Sequence, residues 1–129
     1  MQVMVTGRVV GDVTVSGDEE GRVIFGNFNR RNGTSWHGVA LESDTPETEL
    51  KLEERRVPNY LEVKFHQPTG KAREHRTWKL EVRVRPNEAR GQFPRQEDPA
   101  YADSAVYVQM AGKTPRSIRI AVSGTANDG

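Results

Sequence analysis

A chain of 129 residues without cysteine has the length of one domain and excludes disulfides and thiolate chemistry. Lys and Arg number 19 against 18 Asp and Glu, a net charge of +1 that removes any global argument for nucleic acid or an anionic membrane. No stretch approaches the ~18 apolar residues of a membrane span, and the N-terminus lacks the basic-then-apolar pattern of a signal peptide.

Taken in chain order, the sequence alternates apolar and polar residues with period two. Val3-Met4-Val5-Thr6-Gly7 is a short strand that either pairs as the first strand or belongs to a preceding module. Residues 1–15 are therefore read as leading strands, and residues 16–129 as one domain. Asp18-Glu19-Glu20-Gly21 is a turn before a strand at Arg22 to Phe25, and Asn32-Gly33 reads as a tight hairpin turn before a strand through Val39 and Leu41. Leu50 and Leu52 alternate with Glu49, Lys51 and Glu53. Leu61, Val63 and Phe65 alternate with Tyr60, Glu62, Lys64 and His66. After the turn at Pro68-Thr69-Gly70, Trp78, Leu80, Val82 and Val84 alternate with Lys79, Glu81, Arg83 and Arg85. Pro86 to Asp103 holds three prolines and no period, and reads as a long loop. Val106, Val108 and Met110 follow, then the turn at Lys113-Thr114-Pro115. In the last strand Ile118, Ile120 and Val122 face one way, Arg119, Ala121 and Ser123 the other, and Gly124 stops the run. One wet and one dry face per strand indicates antiparallel sheets. Seven or eight short strands separated by turn signals argue for a two-sheet sandwich or a small barrel, and with apolar material for a single core the expectation is one immunoglobulin-like antiparallel β-sandwich.

Several of these segments fit one larger pattern. Gly21 to Phe28 contains Phe25-Gly26, and Asn32-Gly33-Thr34 leads to the pair Val39 and Leu41. Pro58-Asn59-Tyr60-Leu61 follows, then Pro86 with Gly91-Gln92-Phe93, and finally Ile118 to Gly124. From about Val3 to Gly124 this order resembles an uncharacterised bacterial immunoglobulin-like family related to the ASH/Hydin-type modules. Ala121 stands where that pattern usually has proline, and the stretch Asp98 to Asp103 is longer than the pattern. The resemblance implies an immunoglobulin-like sandwich, often repeated in large bacterial exported or cell-surface proteins and thus extracytoplasmic. It supplies no catalytic residues.

Candidate chemistry is sparse. His37, His66 and His75 form no His-x-His or His-x-x-x-His pair, and read as exposed strand-face residues. No serine lies in a Gly-x-Ser-x-Gly elbow. The acidic groups Glu42, Asp44, Glu47, Glu49 and Asp12, Asp18, Glu19, Glu20 lack the spacing of a calcium loop and read as solvated turns. No catalytic, cofactor-binding or metal-binding residue is therefore expected, and no cofactor.

What remains is a surface. Arg55-Arg56, Lys64, Lys71, Arg73, Arg76, Lys79, Arg83 and Arg85 recur, several at outward positions, with Glu62, Glu74 and Glu81 interspersed, a pattern that favours cross-strand ion pairs over a site for a polyanion. Trp78 points inward. Trp36 falls on the face opposite Val39 and Leu41, either exposed or packed under the long loop. The candidate binding face is thus Trp36, Phe28, Tyr60, Lys64, Arg83 and Arg85.

The expected function is a non-catalytic structural, adhesion or interaction module, a repeat or piece of a larger bacterial protein. Its partners would be neighbouring repeats or other cell-envelope proteins. One alternative is a single-strand nucleic-acid-binding OB barrel, because Val3 to Val9 followed by Gly21 to Phe28 is similar to the opening of bacterial single-strand-binding proteins. Trp36, Trp78, Phe25 or Phe28 would then stack bases, although the near-neutral charge argues against nucleic acid. The other alternative is carbohydrate binding through Trp36 and the long loop.

Overall fold

The alternation in sequence becomes alternation in burial. In the strand Arg76–Val84, Trp78, Leu80, Val82 and Val84 are buried while Arg76, Lys79, Glu81 and Arg83 reach solvent. The computed structural model describes residues 8–68, 75–111 and 115–128. The strand expected at Val3 to Gly7 and the basic positions Lys71 and Arg73 with Glu74 lie outside those residues, as do parts of the turns at Pro68-Thr69-Gly70 and Lys113-Thr114-Pro115.

Ten strands occur among the described residues: β1 (Arg8–Val10), β2 (Val13–Ser16), β3 (Val23–Asn29), β4 (His37–Ser43), β5 (Glu49–Leu52), β6 (Leu61–His66), β7 (Arg76–Val84), β8 (Gly91–Phe93), β9 (Ala105–Ala111) and β10 (Arg116–Asn127). They form two sheets, one ordered β1-β2-β4-β7-β6 and one ordered β3-β10-β9-β5, with β8 also pairing with β10. Every pairing is antiparallel except β3 with β10, which is parallel.

With β1 and β8 set aside, the first sheet has the immunoglobulin order A-B-E-D and the second carries G-F-C. The leading strand is divided between the layers. β2 runs antiparallel to β4 in one sheet, and after the Asp18–Gly21 turn the chain crosses and β3 runs parallel to the last strand in the other. The protein is an immunoglobulin-like β-sandwich. It has ten strands and not seven or eight because the leading strand is split, β1 folds back on β2, and a short strand forms inside the late loop.

The core lies between the layers, and the largest fully buried side chains are Trp78, Phe93, Leu41, Leu61, Leu80, Ile118 and Ile120. Val13 and Val15 of β2 are buried in the same core, so residues 13–16 pack within this sandwich.

Four local expectations change. Asn32-Gly33 is not a hairpin turn between paired strands, because β3 and β4 lie in different sheets. It turns the chain from one layer to the other: the Asn32 and Gly33 amides both donate to the Asn29 carbonyl at 3.1 Å, with Gly33 at φ +66°. Pro86 to Asp103 is more than a surface loop, since it contributes Ala89, Phe93 and Tyr101 to the core. Tyr60 is buried, not water-facing, because the period of β6 begins only at Leu61 and the ring before it turns in to stack on Tyr101, with centroids 4.8 Å apart. Gly124 does not stop the last strand, which continues to Asn127 with Gly124 and Ala126 buried.

Gly124 has a steric role. A Cβ there would sit 2.9 Å from Phe93 Cζ, 3.1 Å from Phe25 Cβ and 3.2 Å from Phe28 Cε1. Three aromatic residues close over the bare backbone. Gly124→Ala is expected to destabilise the domain by about 1–3 kcal/mol through overpacking, even though alanine suits a strand better than glycine. The midpoint of urea unfolding reads the effect, and an unchanged midpoint would contradict this packing.

Candidate interaction surface

The outer face of β4, β7 and β6 is set by strand register. Glu62 lies opposite Arg83, Lys64 opposite Glu81, and His66 opposite Lys79 across β6 and β7. Gly38 and Ala40 of β4 lie opposite Glu81 and Lys79 on the other side of β7. The alternation that sends Trp78, Leu80 and Val82 inward therefore sends charges of both signs outward in neighbouring rows.

Those charges pair. Glu62 Oε1 accepts from Arg83 Nη2 at 2.6 Å and from Nε at 2.7 Å. Glu81 meets His66 Nε2 at 2.9 Å and Lys79 Nζ at 3.6 Å. The hydrogen bond from Arg83 holds the Glu62 carboxyl below its ordinary range, and that from His66 does the same for Glu81. Cross-strand ion pairing is thus the arrangement of this face.

Trp36 lies on the same face, just before β4. Lys64 Nζ sits over its ring at 4.6 Å and Arg83 Cζ at 4.8 Å, both within cation–π range. The half-buried indole is thus not bare. It is covered by the cations of β6 and β7. Lys64 has no carboxylate within ion-pair distance among the described residues, so the ring is its partner.

The six candidate residues divide accordingly. Trp36, Lys64 and Arg83 come together, with Glu62 as a fourth member that was read only as an interleaved charge. Arg85 lies beyond the end of β7, where its Nε donates to the Leu61 carbonyl at 3.3 Å. It lines a cleft of about 550 Å³ between β5 and β6 with an apolar floor of Leu52, Val57, Leu61 and Val63. Phe28 is on β3 of the other sheet, edge-on to Phe25 and Phe93 with centroids 6.5 and 6.2 Å away. Tyr60 is a core residue, and burial pushes its phenol above the ordinary value.

The histidines are spread over the surface, each against carboxylates. His37 Nδ1 is 2.6 Å from Asp18, and His75 lies 2.7 Å from Asp44 and 3.4 Å from Glu42. Hydrogen bonds to Asp44 and then Glu42 raise the His75 pKa. Among the described residues no group of three or more His, Cys, Asp or Glu is arranged to hold a metal ion, and no helix is long and apolar enough to cross a membrane.

No family model, curated protein or solved structure matches the chain. Functional assignment therefore rests on strand connectivity and surface chemistry.

Proposed function

We propose that this chain is a non-catalytic immunoglobulin-like interaction module, a structural or adhesion unit of a larger protein, with other protein domains as its partners. The observation that carries the reading is the connectivity, in which the leading strand is divided between the sheets so that β3 flanks the last strand. The step from that fold to a function is analogy. The resemblance to bacterial ASH/Hydin-type modules points the same way and adds an exported or cell-surface setting.

The surface supports contact with protein over the two alternatives. A sugar stacking on Trp36 must first displace Lys64 or Arg83 from its ring. A nucleic-acid groove of the OB kind belongs to a closed five-stranded barrel, whereas these strands form two open sheets and Trp78 is fully buried. Open sheets leave β5 and β6 as edges, and edge strands are natural places for another chain to pair.

A photo-crosslinking residue at Lys51, an exposed position on edge strand β5, tests the reading in cells of the source organism. A specific polypeptide adduct is the expected product. An adduct to nucleic acid or glycan in its place overturns the reading.

A further inference from the structure

Arg22, Arg56, Arg76, Arg83, Arg95 and Arg119 each lie within ion-pair distance of a carboxylate. Other described cations, Lys64 and Arg85 among them, have no such partner among the described residues, and one end of the sandwich gathers three arginines in one place. Arg30, Arg31, Arg90 and Asp128 line a cleft of about 340 Å³, within the size range of small-molecule sites.

Sheet register assembles the group. β10 is flanked near its end by β3 on one side, with Asn127 opposite Asn29, and by β8 on the other, with Ala126 opposite Gly91. Arg30 is the residue after β3 and Arg90 the residue before β8, so both arrive beside Asp128. The Arg30 backbone is held on two sides: its amide donates to the Asn127 carbonyl at 2.9 Å, and its carbonyl accepts from the Asn87 amide at 2.8 Å. Its guanidinium is half tied, with Nη2 donating to the Asn87 carbonyl at 3.2 Å and Nη1 3.8 Å from the exposed Asp128. Its Nε is buried and has no hydrogen-bond partner. Arg31 and Arg90 are exposed and have no carboxylate within ion-pair distance among the described residues.

Among the described residues lining this concavity, three guanidiniums against one carboxylate leave an excess of two positive charges. We propose that this end of the sandwich binds a phosphate group, free or as a small-molecule monoester. A phosphate dianion carries about −1.5 to −2 at pH 7 and three strong acceptor oxygens, and guanidinium forks match such oxygens in pairs. A simple carboxylate, with one charge, leaves the excess unmatched.

Titration with inorganic phosphate and with glycerol phosphate, acetate being the control, tests this at low ionic strength. NMR of the arginine Nε–H groups is the readout. Both phosphates are expected to saturate and to shift Arg30, Arg31 and Arg90, while acetate does not. Affinity should fall as pH drops through the second ionisation of each phosphate. Arg31→Gln with Arg90→Gln should weaken binding about tenfold per arginine removed. Arg31→Lys with Arg90→Lys keeps the charge and should retain part of it, which separates lost recognition from lost folding. Tighter binding of the monoester identifies an organic phosphate as the ligand, and equal binding identifies free phosphate. No saturation, equal response to acetate, or indifference to the double Gln substitution overturns the proposal.

Discussion

Trp78→Ala is expected to cost about 3–5 kcal/mol, the range for removing a fully buried large aromatic. Trp78 is 0% exposed and lies near the start of β7, a strand paired with β4 on one side and β6 on the other. It stands opposite Leu41 in register, and its neighbours along the inward face, Leu80 and Val82, are also fully buried. The indole also has a polar anchor, Nε1 donating to Gln67 Oε1 at 3.1 Å, and the Arg76 guanidinium stands 5.0 Å from the ring. Alanine removes the volume, the hydrogen bond and the cation–π contact together. A domain of this kind has about 5–15 kcal/mol in total, so the variant should lose a large share of its stability. Trp78→Phe keeps most of the volume and should lose about 1–2 kcal/mol, from the hydrogen bond and the residual space. Urea unfolding followed by far-ultraviolet circular dichroism compares the three proteins. A loss below about 1 kcal/mol for the alanine variant would place the core of the sandwich elsewhere.

The same strand shows what was legible in the sequence. β7 reads correctly residue by residue because a strand with one buried and one wet face writes its geometry as period two. β9 and the part of β10 up to Val122 read correctly for the same reason. The late loop did not, because Ala89, Phe93 and Tyr101 enter the core one at a time among prolines and charges, with no period to reveal them. Tyr60 and Gly124 failed for a related reason: Tyr60 takes its position from the Phe93 and Tyr101 rings, and Gly124 from Phe93 with Phe25 and Phe28, all distant in sequence. The parallel pairing of β3 with β10 joins opposite ends of the chain, and alternation in β3 alone carries no trace of it. Surface legibility split along similar lines. Glu62 facing Arg83 follows from the alternation of two strands, once these are neighbours. The cover over Trp36 depends on the register of three strands, and the arginine group beside Asp128 on the register of β10 with strands on both sides. Neither is contained in any local run.

Phe93→Ala is the sharpest test of the late loop, with an expected loss of about 3–5 kcal/mol. A flap resting on the surface would give up only a few tenths of a kcal/mol on truncation of one residue. Phe93 is 1% exposed, and its ring centroid lies 5.2 Å from Tyr60, 6.2 Å from Phe28 and 6.4 Å from Tyr101. The loop is fixed from the other side as well, because Tyr101 Oη accepts from the Arg90 amide at 3.1 Å and the Tyr101 carbonyl accepts from the Arg95 amide at 3.0 Å. Tyr101→Phe should therefore cost about 1 kcal/mol, the worth of the lost hydroxyl contact. Removing the Phe93 ring also undermines the pairing of β8 with Gly124 to Ala126, so the backbone amides of these two segments should exchange faster with solvent than those of β7. Gly124 supplies the internal control. The Cβ of Gly124→Ala collides most closely with Phe93 Cζ, so in the Phe93→Ala background the added methyl enters the space the ring has left. The two substitutions are then expected to be non-additive by about 1 kcal/mol in the favourable direction, within the range for residues in contact. Strict additivity would mean that Phe93 does not close over Gly124, and that the late loop is not the third wall of the aromatic cluster at this end of the sandwich.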